Sequence, residues 1–461
     1  MPFGSGGKVF RSTNTRSILP LRALPPVNDS KIKGAIVSDS LTHSIKTKTE
    51  SNPGGGFSER VFFRLLSSLK YGCLTVEYRQ RRQVFGSPTA DLQTTLLIHS
   101  NRFFHRVLVG GTIGAAESYM DKEWDSDNLT NLVRLLVRNR TLMERLDGGW
   151  SNWLRPLRAL GHFFRRNTLS GAKKNIMAHY DLGNAFFELF LDDTRQYSSA
   201  FFANPEMTLQ EASQAKLALI VAKLDVQPSD HVLEIGSGWG ALAVTLAKTT
   251  GCRVTTTTIS EEQFAFVQEL LSREGLSDRV TLLKKDYRAL TGQFDKLVSV
   301  EMIEAVGHQY LDTYLATCSS LLKPTGRMVL QAITIRDHHY DRAVKDVDFI
   351  KQHIFPGSFI PSLSAIMDSV KRNTDLQLKH LQDLTPHYAR TLFFWKKAFQ
   401  ANADRLLSLG FDHAFQRLWH FYFSYCEGGF MEDAIGNAQL VFAKPQCNGT
   451  VQTQWGGAPW A

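Results

Sequence analysis

Apolar positions along the chain change rhythm near its first third. Phe62, Leu65, Leu66 and Leu69 recur at helical spacing, and Cys73-Leu74-Thr75-Val76-Glu77-Tyr78 alternates as a half-buried strand does. Leu96 to His99 and Phe103 to Val109 read as further strand or short helix, and Asn128 to Val137 predicts an amphipathic helix opened by an Asp/Asn cap. Beyond about residue 175, short apolar strands alternate with helices. The strands are His231–Ile235, Arg253–Thr258, Val280–Leu283, Lys296–Val300 and Met328–Ala332. The helices are Ala241–Thr249, Glu261–Ser272 and Gln309–Leu322. Such alternation with short turns predicts an α/β fold, a doubly wound parallel sheet covered on both faces. A smaller α+β domain precedes it.

The expected organisation is a tail or targeting segment over 1–56, the small domain over 57–167, the α/β domain over 168–445 and a tail over 446–461. Residues 1–56 are polar and end in Asn52-Pro53-Gly54-Gly55-Gly56, too little apolar surface to offset the entropy of ordering. They also carry eight Lys/Arg against three Asp/Glu, so more than half of the net +9 sits there. The remainder is only mildly basic, which argues against a nucleic-acid partner and suits anionic lipid headgroups or plain solvent. Five scattered cysteines with no C-x-x-C pair read as reduced thiols of a cytoplasmic-type compartment. Trp150, Trp153, Phe163 and Phe164, set among arginines, form a candidate interfacial patch.

Between the first strand and helix of the α/β region lies Glu234-Ile235-Gly236-Ser237-Gly238-Trp239-Gly240. Glycines there let the backbone turn tightly, and free N–H groups at the following helix N-terminus can meet a ligand. Three features favour adenosylmethionine over a dinucleotide. Glu234 is an acid within the strand, the spacing is G-x-G-x-G, and the next strand ends in Thr257-Thr258-Ile259-Ser260 with no acid for an NAD ribose.

The ordered segments His179-Tyr180-Asp181-Leu182-Gly183-Asn184, Gln196-Tyr197-Ser198-Ser199-Ala200, Glu234 to Gly240, Thr258 to Gln263, Glu301-Met302-Ile303-Glu304-Ala305-Val306-Gly307 and Ile354-Phe355-Pro356-Gly357 resemble the motifs of cyclopropane-fatty-acyl-phospholipid synthases and mycolic-acid cyclopropane synthases. The resemblance implies a class I S-adenosylmethionine (SAM) methyltransferase fold. It also implies a cofactor site built from Tyr197, Ser198, Glu234, Gly236, Ser237, Gly238, Trp239, Gly240, Thr258, Ile259, Gln263, Asp286, Tyr287 and Arg288. A bicarbonate ion beside Glu304 and Tyr388 is implied as the base. Cys426 matches a cysteine marked as functional in the family, although a core thiol explains it equally. Ser199 and Gln331 stand where many members carry Cys and His. Their hydroxyl and amide still offer donors to an anion, and the substitutions leave the product open between a cyclopropane and a methyl- or methylene-branched chain.

The implied chemistry has its own demands. An alkene attacking a sulfonium methyl places positive charge on the acyl chain, so the site should be dry and rich in aromatic faces. Phe393, Phe394, Trp395, Trp419, Phe421, Tyr422, Phe423 and Tyr425 are the candidate cluster. Ring closure then requires a base near the transferred carbon. Val344 to Ile360 reads as an apolar lid or channel wall, with Lys345 and Lys351 able to meet lipid phosphates. Asp337, His338, His339 and Asp341 read as a polar loop rather than a metal site. The expected partners are unsaturated phospholipid acyl chains and, peripherally, a membrane surface. A homodimer and organelle targeting by residues 1–56 stay open, as do a small polar methyl acceptor and a lipid-binding protein without turnover.

Overall fold

The computed structural model describes residues 56–140 and 182–451. The aromatic patch from Trp150 to Phe164, His179, nearly all of residues 1–56 and the last ten residues lie outside them.

The small module opens with α1 (Phe57–Leu66), which buries Phe62 and Leu66. Its sheet contains β1 (Cys73–Tyr78), β2 (Arg81–Gly86), β3 (Gln93–Ile98) and β4 (Trp124–Ser126), ordered β2-β1-β3-β4. β1 and β2 form a hairpin whose turn residues, Arg79 and Gln80, both take positive φ, as a tight two-residue turn requires. β2 is missing from the sequence reading because this edge strand is almost wholly exposed and shows no alternation. The segment from Phe103 resolves as helix: α2 (Arg102–Met120) continues past a kink at Gly111. α3 (Leu129–Arg138) is capped by Asn128, whose side chain accepts from the Asn131 N–H.

The larger sheet has seven strands. They are β5 (His231–Ile235), β6 (Arg253–Thr257), β7 (Val280–Leu283), β8 (Phe294–Val300), β9 (Leu322–Ile335), β10 (Gln377–Asp383) and β11 (Ile435–Ala443). The order is β10-β11-β9-β8-β5-β6-β7. The longer helices are α4 (Leu209–Leu224), α5 (Ala241–Thr250), α6 (Glu261–Arg273), α7 (Leu311–Ser320), α8 (Asp337–Lys345), α9 (Leu363–Asn373), α10 (Thr385–Ala401) and α11 (His413–Met431). β5 to β9 run parallel, as the alternation predicted. The expectation of a purely parallel sheet fails at one edge, where β11 runs antiparallel to both β9 and β10. β10 is an exposed edge and lacks the apolar run of a buried strand.

α10 and α11 pack against each other, and α11 also packs on α2 and α3. One apolar core therefore runs from Phe62, Phe104 and Leu132 of the small module to Phe190, Trp395, Trp419 and Phe423. Polar clamps fix the contact. Arg417 reaches from α11 to donate to the Trp124 carbonyl at 2.9 Å and to Asp125 at 2.7 Å. Glu432 receives Arg134 and Arg138, each at 2.8 Å. Glu427, buried, accepts from Thr130 at 2.8 Å and from Lys396.

Removing one member of a buried pair strands the other charge, typically at about 3–5 kcal/mol, whereas removing both costs far less. Glu427→Ala is therefore expected to lower unfolding stability by about that amount in urea titration. The double variant Glu427→Met/Lys396→Met should recover most of the loss. Equal losses in single and double variants would show that this pair does not hold the seam.

Candidate active site

The site lies beyond the carboxyl ends of β5 and β8, where the strand order reverses, the place where open α/β sheets bind ligands. Gly236, Gly238 and Gly240 take φ values of +98°, +49° and +88°, in the region that disfavours side chains. A Cβ on Gly236 would stand 3.1 Å from Met302, whereas one on Gly238 would meet nothing within 4 Å, so the loop opens outward there. The N–H groups of Gly236 and Ser237 donate to the Thr257 carbonyl at 3.0 and 2.9 Å. These two donors pin the loop to β6. The Ser237 hydroxyl donates to the Gly238 carbonyl, and the Trp239 indole donates to Asn184 at 2.8 Å.

Glu234 is buried and accepts from Thr256 at 2.6 Å. Burial pushes its carboxyl up to about 8. Lys216, on α4, donates to the Ser198 hydroxyl at 2.7 Å. Its ammonium is lowered to about 8 by burial, with Glu301, Asp192 and Glu234 acting the other way. Sequence reading passed over Lys216; its signal is one lysine inside the apolar run Ala215 to Ile220. Thr258 donates to Gln263 at 2.8 Å, and both are buried beside Ile259. Asp286 is engaged by Arg288 at 2.8 and 2.7 Å. Tyr287 packs edge-on against Tyr314. The Tyr197 hydroxyl meets that of Tyr422 at 3.0 Å.

These groups suit adenosylmethionine. Glu234 is an acceptor for its ammonium, Thr258 and Gln263 offer polar groups for ribose hydroxyls, and the open turn at Gly238 leaves room for the methionine part.

The catalytic candidates meet on the far side of the loop. Glu301 follows β8 at φ +48°, a strained value for a residue with a side chain. Its Oε1 accepts from the Ser199 N–H at 3.0 Å, Gln331 at 2.8 Å and Asn437 at 2.7 Å. The Tyr388 phenol bonds the same carboxylate. Ser199 sends its hydroxyl to the Ala200 carbonyl. Glu304 accepts from the Ile333 N–H at 2.6 Å, and its Oε2 is buried with no hydrogen-bond partner among the described residues. Burial first, then the Glu301 charge, pushes Glu304 up to about 8. Burial also pushes the Cys426 thiol far up, so it stays protonated at the cavity wall. The set expected to hold bicarbonate is thus assembled, but Gln331 and Tyr388 are engaged by Glu301, a residue the sequence reading did not single out. Bicarbonate does not fit this arrangement.

One cavity of about 690 Å³ joins these groups to the small module. Its walls run from Phe62, Leu66 and Leu132 past Phe421, Tyr422 and Tyr425 to Gly236 and Glu304. Only those three of the eight candidate rings line it. Trp395, Trp419 and Phe423 are core behind them, and Phe394 stacks on Phe202, because they lie on other helix faces. Val344, Ile350, Phe355 and Phe359 line the cavity as a channel wall would. Lys351 is not a lipid-facing cation: it is buried and donates to the Ala343 and Asp346 carbonyls. The His338-His339 segment is helical, part of α8, not a loop.

The position of Glu304 has a measurable consequence. Its folded-state value lies above that of an unfolded carboxyl, so its contribution to stability is complete below about pH 4.5 and is lost as pH rises through about 8. Glu304→Gln removes this term. The melting-temperature difference, variant minus wild type, is expected to rise across that window; a flat difference would show that Glu304 ionises normally.

Comparison with known proteins agrees with the geometry. Residues 168–440 match the family model described as mycolic acid cyclopropane synthetase. The chain is 37% identical over 345 residues to tuberculostearic acid methyltransferase UfaA1 of Mycobacterium tuberculosis, covering 73% of this chain and 80% of that protein. It is 35% identical over 365 residues to the cyclopropane-fatty-acyl-phospholipid synthase of Escherichia coli K12, covering 79% and 90%. Among solved structures, cyclopropane synthase MmaA2 from Mycobacterium tuberculosis superimposes with a TM-score of 0.56 at 31% identity, covering 59% of this chain and 98% of that one. Mycolic acid cyclopropane synthase CmaA1, solved with SAH and CTAB, gives 0.55 at 32% identity, covering 59% and 98%. A loop shaped for a sulfonium donor, two buried carboxyls beside it and this agreement over most of the chain lead to one conclusion: the chain belongs to the mycolic acid cyclopropane synthetase family and is a SAM-dependent methyltransferase.

Proposed function

We propose that this enzyme alkylates the double bond of an unsaturated fatty acyl chain carried on a phospholipid, giving a cyclopropane. The observation that carries the reading is the apolar cavity, which extends from the cofactor loop into the core of the small module and is lined chiefly by apolar side chains. A small polar acceptor would need convergent polar groups along that length, and the walls there are Phe62, Leu66, Leu74, Leu96 and Leu132. When bound, adenosylmethionine supplies an electrophilic methyl group. The chain's own residues keep water out, present aromatic faces to a cationic acyl chain, and take up a proton from it.

The second reading is a methyl-branched acyl product, favoured by the name of the UfaA1 relative. Either reading includes peripheral contact with a membrane. Phe57, Tyr71 and Val84, all exposed on the small module with Arg81 and Arg82 nearby in sequence, support that contact. A homodimer, a cytoplasmic setting and targeting by residues 1–56 belong to the same proposal.

Incubation with methyl-labelled adenosylmethionine and vesicles of mono-unsaturated phospholipid is expected to label the lipid, and saturated vesicles should stay unlabelled. Loss of the double bond without a new one identifies the ring. Label confined to soluble acceptors would overturn the lipid assignment. In the same preparation Gly236→Ala should weaken adenosylmethionine binding by about fivefold to a hundredfold by calorimetry. A side chain at φ +98° costs about 1–3 kcal/mol, and 1.4 kcal/mol is a factor of ten. Unchanged affinity would remove the loop from the cofactor site.

A further inference from the structure

We propose that the Glu301 carboxylate is the built-in base of this enzyme, standing in place of a bicarbonate ion. The inference rests on the acyl-alkylation reading above and deepens it. Its first support is occupancy: Gln331 and Tyr388, which a bicarbonate would need, already bond Glu301. A second anion beside that carboxylate would meet like charge and find these two donors taken.

The second support is a directed row of side chains across the sheet. Gln382, Gln439 and Gln331 lie opposite one another on β10, β11 and β9. The Lys223 ammonium donates to Gln439 Oε1 at 2.6 Å, and also to Gln382 at 2.6 Å. Gln439 Nε2 donates to Gln331 Oε1 at 2.8 Å. Gln331 Nε2 then donates to Glu301 Oε1 at 2.8 Å. Gln439 and Gln331 each point an N–H toward the carboxylate, and the Lys223 amine, lowered to about 7 by burial, donates at the far end. Such a chain is polarised to favour negative charge at its terminus.

The third support is strain. Glu301 holds a left-handed backbone, fixed by its own N–H bonding the Gln331 carbonyl at 2.8 Å. Strained residues gather where function over-determines them.

In the step this assigns, the acyl chain already carries the added methyl group and a positive charge on the neighbouring carbon. Glu301 accepts a proton from that methyl, and the freed C–H electron pair closes the ring onto the cationic carbon. Glu301 becomes a neutral acid and returns its proton to solvent when product leaves.

The test uses the full chain as wild type, Glu301→Gln and Glu301→Gly. Titration of each with ¹³C-bicarbonate, followed by NMR, needs no turnover. Wild type should show no binding at millimolar concentration, and Glu301→Gly, with the carboxylate gone, should bind. Labelled-lipid assays in carbonate-free and bicarbonate-supplemented buffer should give the same wild-type rate. Glu301→Gln should lose about 10²-fold or more, and added bicarbonate should rescue Glu301→Gly but not Glu301→Gln. Adenosylmethionine affinity within a few-fold of wild type shows that each variant is folded. Bicarbonate binding by wild type, or a wild-type rate that falls when carbonate is removed, would overturn the inference. If no unsaturated lipid is labelled by wild type, the proposed reaction falls, while the titration still decides whether Glu301 excludes the anion.

Discussion

Carboxylates are costly to take out of water, and this site buries three around one largely apolar cavity. Glu234, Glu301 and Glu304 all face the space beyond β5 and β8, and burial is the first cause of each one's shift. A protein meets that cost either by supplying donors and cations or by leaving the group protonated. Here the supply is uneven. Lys216 lies among Glu234, Glu301 and Asp192 as a shared cation. Glu301 collects three N–H donors and a phenol. Glu304 has only backbone N–H donors, from Ile333 and its own residue, and an oxygen with no partner among the described residues. The rest of the architecture follows from holding these groups dry and apart.

The fold meets this constraint with pieces from every part of the chain. β5 and β8 deliver Glu234 and Glu301 to the reversal point of the sheet. The antiparallel strands β10 and β11 carry the amides that run to Glu301, so the departure from a purely parallel sheet is part of the site. The small module closes the space from above. Its core is continuous with α10 and α11, and the buried pair Glu427–Lys396 bridges to Thr130 on α3. The channel wall around Ile350–Ile354, a wide π-type turn, is anchored from beneath by the buried Lys351. The cavity thus has water-excluding walls from four separate segments.

What the sequence disclosed was local. The strand–loop–helix from His231 to Thr250 is contiguous, and its glycines announce a backbone that only they adopt readily. The parallel strands β5 to β8 could be read because short stretches rich in apolar and β-branched residues alternate with helical patterns. β2 and β10 could not, since edge strands exposed to solvent carry no such pattern. Lys351 looked like a surface cation because a lysine's burial depends on which carbonyls the tertiary fold brings to it. The environment of Glu301 was invisible for the same reason. Its donors come from residues 199, 331 and 437, so no window of sequence contains the group and its partners together. Glu304 was legible only through family resemblance.

Unequal surroundings assign unequal roles to the two adjacent acids. A pair of carboxyls this close does not ionise together cheaply, and environment decides which keeps the proton. The ladder from Lys223 and the Asn437 amide favour the charged form of Glu301. Glu304, with backbone donors alone, is pushed up to about 8 by burial first and by the Glu301 charge second. Burial raises Glu301 too, but its donors and Lys216 work against that rise, and in its charged form it can accept a proton. The protonated member adds no second negative charge beside it, and so does not hold a cationic acyl chain too tightly to proceed. The donors nearest the reacting space are turned inward onto Glu301, so the walls offer that chain aromatic faces and one base. An arrangement of this kind favours proton loss over capture of the cation by a nucleophile, and proton loss is the ending that ring formation requires.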